Sequence, residues 1–291
     1  MKAAMRPARL IAAQPDLDEF CRLVSNAGFL GVDSESNSFF AYKPRICLIQ
    51  ISTDHDDFIL DPLALQNLTP LGNIFSDPSV EKVLHAAEND LLGLKKDYRF
   101  RMRNVFDTAV ACRLLGRKRL GLARILSEEF EVQLDKKLQR CNWEMRPLTP
   151  EQLYYAQLDT HFLIRLRHRL HKQLLERNIM EAALERFAQL ENLRGKPQKG
   201  WKPDDYLYLK GAQELPVSSR QVLKKLFSYR EYLARKADKA PFRIMNNETL
   251  VRLAKEMPAD LSGLRGIRGL PSRFKGKGAE RLLRIIQKAR S

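Results

Sequence analysis

Five short apolar runs lie within the first 107 positions, at residues 29–33, 45–52, 57–62, 82–86 and 104–107, each bounded by turn residues. They constrain the fold more than any other feature of the chain. Three strands come in succession and two more alternate with helical patterns, which predicts an α/β domain built on a mixed sheet covered by helices. The helices are expected over "DLDEFCRLVSNAG", "ENDLLGLKKDY", "TAVACRLLG" and "GLARILSEEF". The segment "LTPEQLYYAQLDTHFLIRLRHRLHKQLLERN" then reads as one long helix. Its start carries Thr149 as N-cap, Pro150 at the first helical position and Gln152 to complete a capping box.

After this helix the character changes. "ENLRGKPQKGWKPDD" is rich in Lys, Gly and Pro with little apolar periodicity, so residues 196–205 are expected to link a first domain, 1–195, to a helical second domain, 206–291. Three helical patterns follow: "SSRQVLKKLFSYREYLARKAD", "NETLVRLAKEMP" opened by an Asn cap, and "GAERLLRIIQKAR". Charge divides at the same place. Residues 1–195 hold 28 Lys and Arg against 26 Asp and Glu, a net of +2, while residues 196–291 hold 23 against 9, a net of +14. An excess of that size suits a surface that meets a polyanion; the plainer reading is a solvated basic face.

At 291 residues and 44% hydrophobic, the chain can bury a large core. No apolar run reaches membrane-spanning length, and Arg9 and Gln14 interrupt any signal-peptide core, so a soluble, cytoplasmic protein with no membrane partner is expected. Cys21, Cys47, Cys112 and Cys141 are widely spaced with no CxxC pair, which suits reduced core thiols and argues against zinc.

The chemistry concentrates in five residues. Asp33 and Glu35 stand two apart at the end of a strand run, so they project from one face and repel unless a cation lies between them. Asp90 opens a helix after the strand "KVLHA", where the helix dipole alone could account for it. Tyr155 precedes Asp159 by one helical turn, which sets phenol and carboxylate on one face, a spacing also common in core packing. Each feature is weak alone. Together their order and contexts are specific.

The segments "GVDSES", "HAAENDLLGLKKDY" and "YAQLD" resemble the three exonuclease motifs of the DEDD superfamily, in the branch whose third motif is Tyr-x-x-x-Asp. The neighbouring "YKPRICLIQIS", "NVFDTAVACRLLG" and "CNWEMRPLTPEQLYYAQLD" resemble the ribonuclease D family, over roughly residues 10–190, and the C-terminal part is similar to an HRDC domain. The resemblance implies an RNase H-like domain with 3′-to-5′ exoribonuclease activity, acting on RNA with a free 3′ end such as tRNA precursors and releasing nucleoside 5′-monophosphates. It implies that Asp33, Glu35, Asp90 and Asp159 hold two divalent ions, Mg²⁺ or Mn²⁺, with Asp33 bridging them and Tyr155 orienting the attacking water. Two other readings stay open: a DNA exonuclease of the same chemistry, and a catalytically idle nucleic-acid-binding adapter. The oligomeric state is not legible.

Ser36 stands where the family often has Thr, and "RFKGKGAERLL" departs from the Tyr-Gly often found before the last HRDC helix. Tyr154 adjoins Tyr155 at the position where another branch carries His; helical phase favours Tyr155. Phe39 and Phe40 read either as core residues or as aromatics that stack on a terminal base, Phe39 being the candidate contact. Arg146 is a candidate for a substrate phosphate. Asp107 reads as a helix N-cap rather than a fifth ligand, and His85 as a hydrogen-bonded structural histidine.

Overall fold

The computed structural model describes residues 5–134, 136–194, 202 and 204–290. The chain divides into two compact units, one of residues Met1–Asn37 with Arg45–Gly195, the other of Ser38–Pro44 with Lys196–Ser291. Of the expected linker, residues 196–201 and 203 lie outside the described residues. The short segment Ser38–Pro44, expected within the first domain, groups with the second unit instead.

The first unit opens with β1 (Arg9–Ile11), α1 (Gln14–Val24), β2 (Phe29–Ser36), β3 (Ile46–Ser52) and β4 (Asp57–Leu60). Next come α2 (Thr69–Ser76), β5 (Glu81–Leu84), α3 (Glu88–Tyr98), β6 (Val105–Asp107), α4 (Thr108–Leu114) and α5 (Leu122–Phe130). Three helices close it: α6 (Pro150–His161), α7 (Leu163–Glu176) and α8 (Met180–Glu191). Six strands form one mixed sheet in the order β1-β4-β3-β2-β5-β6. β2, β3 and β4 are antiparallel neighbours, whereas β1 pairs with β4, and β5 with β2 and β6, in parallel. The expected mixed sheet is present, with β1 as an addition. β3, "ICLIQIS", is buried along its whole length because it is central and covered on both faces. Its alternation sends Ile49 and Ile51 into a core with Leu17, Phe20, Leu71, Phe75 and Leu94, and Leu48 into one with Trp143, Tyr155 and Ala156.

The expected long helix is two. α6 begins as its sequence predicts, with the Thr149 hydroxyl accepting from the Gln152 N–H, the Gln152 side chain accepting from the Thr149 N–H, and Pro150 in the first turn. It ends at Phe162, although no Gly or Pro stands there. The cause is tertiary. The hydroxyls of Thr160 and Ser52 are hydrogen-bonded, and His161 bonds Asp57, so the end of α6 is pinned to β3 and β4 and a separate helix, α7, begins at Leu163. This crossing is close: a Cβ on Gly31 of β2 would come within 2.9 Å of the Thr160 carbonyl oxygen, which reserves the position for glycine.

The second unit is helical, with α9 (Val217–Lys236), α10 (Pro241–Ile244), α11 (Asn247–Glu256), α12 (Leu261–Gly266) and α13 (Lys277–Arg290). Its core joins Val222, Leu226, Leu250, Leu253, Leu282 and Ile286. Asn246 caps α11 by accepting from the Thr249 N–H, one residue before the Asn that opens the expected segment. Within this unit Phe40 accepts at its carbonyl from the Ala240 N–H, and the Arg243 guanidinium lies 3.7 Å from the Phe40 ring centroid. Among the described residues no helix is long and apolar enough to cross a membrane.

Candidate active site

Asp33 and Glu35 lie at alternate positions of β2 and so share a face, the one that Gly31 turns toward α6 and α7. Asp90 comes from the first turn of α3, which follows β5, the parallel neighbour of β2. Asp159 and Tyr155 come from α6, one turn apart. All five line one hollow of about 430 Å³ in the first unit, together with Ser34, His85, Asn89, Gln139 and the stretch Leu120–Ala123. Ser34, Asn89 and Gln139 were not singled out by sequence reasoning. Asn89, next to Asp90 on an N-terminal helix turn, could have been found by position, whereas nothing local marks Gln139.

The electrostatics are those of anions crowded together. Burial, then the charges of Asp90, Asp159 and Glu35, push the Asp33 carboxyl well above the ordinary range. Burial with Asp159 and Asp90 lifts Glu35 to about 9. Burial lifts Asp159 to about 7, against the hydrogen bond that the Tyr155 hydroxyl donates to it, and lifts Asp90 to about 6, against a 2.5 Å bond from the Ser34 hydroxyl. Tyr155 is itself raised by burial and by Asp159, Glu35 and Asp33, so its hydroxyl stays protonated and acts as a donor. Four carboxylates in one hollow cannot all ionise without a cation, and an all-oxygen donor set of this kind fits hard divalent ions. Among the described residues the acids do not close into a ready-made cage, since Asp90 is turned to Ser34 and Asp159 to Tyr155.

Tyr155, rather than Tyr154, faces the hollow: it is buried with its ring 5.9 Å from that of Trp143, while Tyr154 is 58% exposed. Asp107 is the N-cap of α4, its carboxylate accepting from the N–H groups of Ala109 and Val110 and also from those of Ala86 and Ala87. His85 is held at both ring nitrogens, 2.8 Å from the Thr108 hydroxyl and 2.7 Å from the Leu120 carbonyl oxygen, and burial lowers its pKa. It tethers the Leu120–Ala123 wall of the hollow. Phe39 belongs to the second unit, edge-on to Phe242 at 6.4 Å, and does not line the hollow.

Arg146 is engaged within the fold. All five of its N–H donors are committed: Nε and Nη2 to the two Asp61 oxygens at 2.5 and 2.8 Å, Nη2 also to the Cys47 carbonyl, and Nη1 to the carbonyls of Trp143 and Met145. No donor is left for a phosphate. Burial alone would raise the Asp61 carboxyl, but these bonds and the arginine charge more than offset it and hold it below its ordinary value. Arg146→Ala is therefore expected to destabilise the first unit by about 2–3 kcal/mol in denaturant titration, because it strands a buried carboxylate. Arg146→Lys should recover little of this, lacking the planar fan of donors. A loss of RNA affinity in a stably folded Arg146→Ala protein would restore the phosphate contact.

The sequence profile of the 3′-5′ exonuclease family matches residues 8–175, and that of the HRDC domain matches residues 219–286. The chain belongs to the 3′-5′ exonuclease family. Within that family it is similar to the exosome complex exonuclease RRP6 of Saccharomyces cerevisiae, 29% identical over 94% of this chain and 39% of that protein. It is also similar to the exosome complex component 10 homolog of Caenorhabditis elegans, 30% identical over 98% of this chain and 33% of that protein. The chain thus spans about a third of the length of the curated relatives it matches. Among solved structures, the catalytic core of RRP6 from Trypanosoma brucei superposes with a TM-score of 0.87 at 29% identity, covering 99% of this chain and 81% of that one. RNase D of Escherichia coli, described as an exoribonuclease involved in structured RNA processing, gives 0.72 at 26% identity, covering 98% and 76%. The fold is the RNase H-like exonuclease fold followed by an HRDC domain, and the likeness to ribonuclease D, read in the motifs over roughly residues 10–190, extends in the structure over 98% of the chain.

Proposed function

We propose that this protein is a metal-dependent 3′-to-5′ exoribonuclease that removes nucleoside 5′-monophosphates one at a time from the 3′ tails of structured RNA, tRNA precursors among them. The observation that carries this reading is the convergence of Asp33, Glu35, Asp90 and Asp159 with the Tyr155 hydroxyl in one hollow of the exonuclease unit. The four carboxylates would hold two divalent ions, Mg²⁺ or Mn²⁺. Ions bound there lower the pKa of an attacking water and stabilise charge on the leaving oxygen. Tyr155, kept protonated, orients that water toward the terminal phosphate. The phosphorus gains the water oxygen and loses the 3′ oxygen of the preceding nucleotide, which takes up a proton and becomes the new 3′ end. The net +14 of residues 196–291 suits contact with the phosphates of the RNA body.

Matched RNA and DNA oligonucleotides, labelled at the 5′ end and digested side by side in Mg²⁺, in Mn²⁺ and in excess EDTA, test this reading. A ladder shortening from the 3′ end of RNA, with nucleoside 5′-monophosphates as product and no cleavage in EDTA, is expected. Equal or faster loss of DNA would make it a DNA exonuclease, and binding without any cleavage an adapter.

A further inference from the structure

Gln50 lies in the middle of β3 with no solvent exposure, and neither its amide nitrogen nor its carbonyl oxygen has a partner among the described residues. An orphaned carboxamide in a central strand is destabilising and calls for a reason. The polar network that begins at Ser52 of the same strand is closed on itself. Ser52, two residues on, is bonded to Asp57 and Thr160, while Gln157 and His161 take the other Asp57 oxygen, and Gln157 is further engaged by the backbone at Arg6 and Ala8.

The strand register shows what Gln50 is next to. In the antiparallel pair of β2 and β3, Gly31 stands opposite Ser52, Asp33 opposite Gln50 and Glu35 opposite Leu48. Directly opposed side chains share a face, with Cβ atoms about 4.5–5.5 Å apart. The face is fixed from both sides of Gln50. A Cβ on Gly31 would lie 3.6 Å from the Ser52 Cβ and close against α6 and α7, and Leu48 packs with Tyr155 and Ala156 of α6. Gln50 therefore projects toward α6 beside Asp33, at the floor of the acid cluster.

Among the described residues, two of the acids beside Asp33 have a side-chain hydroxyl as donor and Asp33 has none. Asp90 receives the Ser34 hydroxyl and Asp159 the Tyr155 hydroxyl, whereas the hydrogen bonding that acts on Asp33 comes from the backbone of Ser34. We infer that Gln50 is the positioning residue for Asp33, its amide N–H fixing the orientation of the carboxylate that would hold a divalent ion. This rests on the metal-dependent reading above. A neutral donor suits the place better than Lys or Arg would: it fixes the carboxylate without cancelling the negative charge that attracts the cation.

The test measures Mn²⁺ binding to the RNA-free protein by electron paramagnetic resonance, alongside kcat and KM on an RNA oligonucleotide and the Tm of the metal-free protein. For Gln50→Leu, Mn²⁺ affinity and kcat are each expected to fall by about 10- to 100-fold, the usual effect of removing a group that orients a metal ligand. KM for RNA should stay the same, and Tm should hold or rise because an orphaned amide is gone. In an Asp33→Asn background the same change should have no further effect on Mn²⁺ binding, since the carboxylate it positions is absent. Gln50→Met, close in length and equally uncharged, provides the same measurements should Gln50→Leu fail to fold. Unchanged Mn²⁺ affinity and kcat in a folded Gln50 variant, or equal effects with and without the Asp33 carboxylate, would overturn the inference and leave the metal reading intact. A wild-type protein that binds no Mn²⁺ would take both down.

Discussion

Asp33→Asn is expected to abolish hydrolysis and, at the same time, to raise the melting temperature of the metal-free protein at neutral pH. The two effects share a cause. The carboxyl that the reaction needs ionised sits where burial and three neighbouring acids oppose its ionisation. Each of the four acids has a folded-state pKa above its ordinary value, with Asp90 near 6, Asp159 near 7 and Glu35 near 9. Between the ordinary carboxylate range and those values the folded state binds more protons than the unfolded state, so stability must fall as pH rises. The contribution is complete below about pH 4, the unfolded value, and is lost as pH climbs through 6 to 9. Taking this carboxyl out of the cluster removes that opposition, so the metal-free Tm should rise at pH 7.5. Mn²⁺ should raise the wild-type Tm and flatten its decline with pH while doing little for Asp33→Asn. Other groups titrate in the same region: His85 is lowered by burial and Lys82 is lowered to about 8, both of which favour stability at higher pH. The difference between scans with Mn²⁺ and with EDTA removes their share. A metal-free Tm that does not differ between wild type and Asp33→Asn from pH 5 to 8, or detectable turnover by the variant, would sink the account of the acid cluster.

The site was legible in the sequence because its parts obey local rules. A strand puts Asp33 and Glu35 on one face, and a helix does the same for Tyr155 and Asp159. Thr149, Pro150 and Gln152 announce the start of α6 through backbone chemistry that needs no partner elsewhere, and Asp107 likewise announces α4. Where tertiary contacts decide, the sequence is silent. β1 is three residues long and is a strand only because it pairs with β4. α2, "TPLGNIFS", has no side-chain cap and a glycine in its middle, and that glycine is required by the Phe100 ring, 2.8 Å from where a Cβ would stand. α6 stops at Phe162 because Ser52 and Asp57 hold its last turn. Arg146 shows the same limit: a fork of donors that fits a phosphate fits a carboxylate equally well, and the sequence does not reveal that Asp61 lies within reach.

Tyr155→Phe separates orientation from metal binding and should cost turnover without costing the fold. The ring, 7% exposed, packs against Trp143, Leu48 and Ala156, and phenylalanine keeps all of those contacts. What is lost is one hydroxyl and its bond to Asp159, worth about 1 kcal/mol of stability. Since its surroundings raise the phenol pKa further, Tyr155 cannot serve as a base at working pH; it donates a hydrogen bond and sets direction. Removing an orienting group of this kind lowers kcat by about 10²- to 10⁴-fold. The metal ligands stay in place, so Mn²⁺ affinity and KM should hold near wild type, and residual activity should exceed that of Asp33→Asn. Tyr154→Phe is the matched control, because its ring is 58% exposed on the same helix and lines no part of the hollow. Its kcat should stay within twofold of wild type. A larger loss at Tyr154 than at Tyr155 would assign the water to the other ring. An equal loss of Mn²⁺ affinity and kcat in Tyr155→Phe would instead make the hydroxyl a support for Asp159, through the one hydrogen bond that joins them.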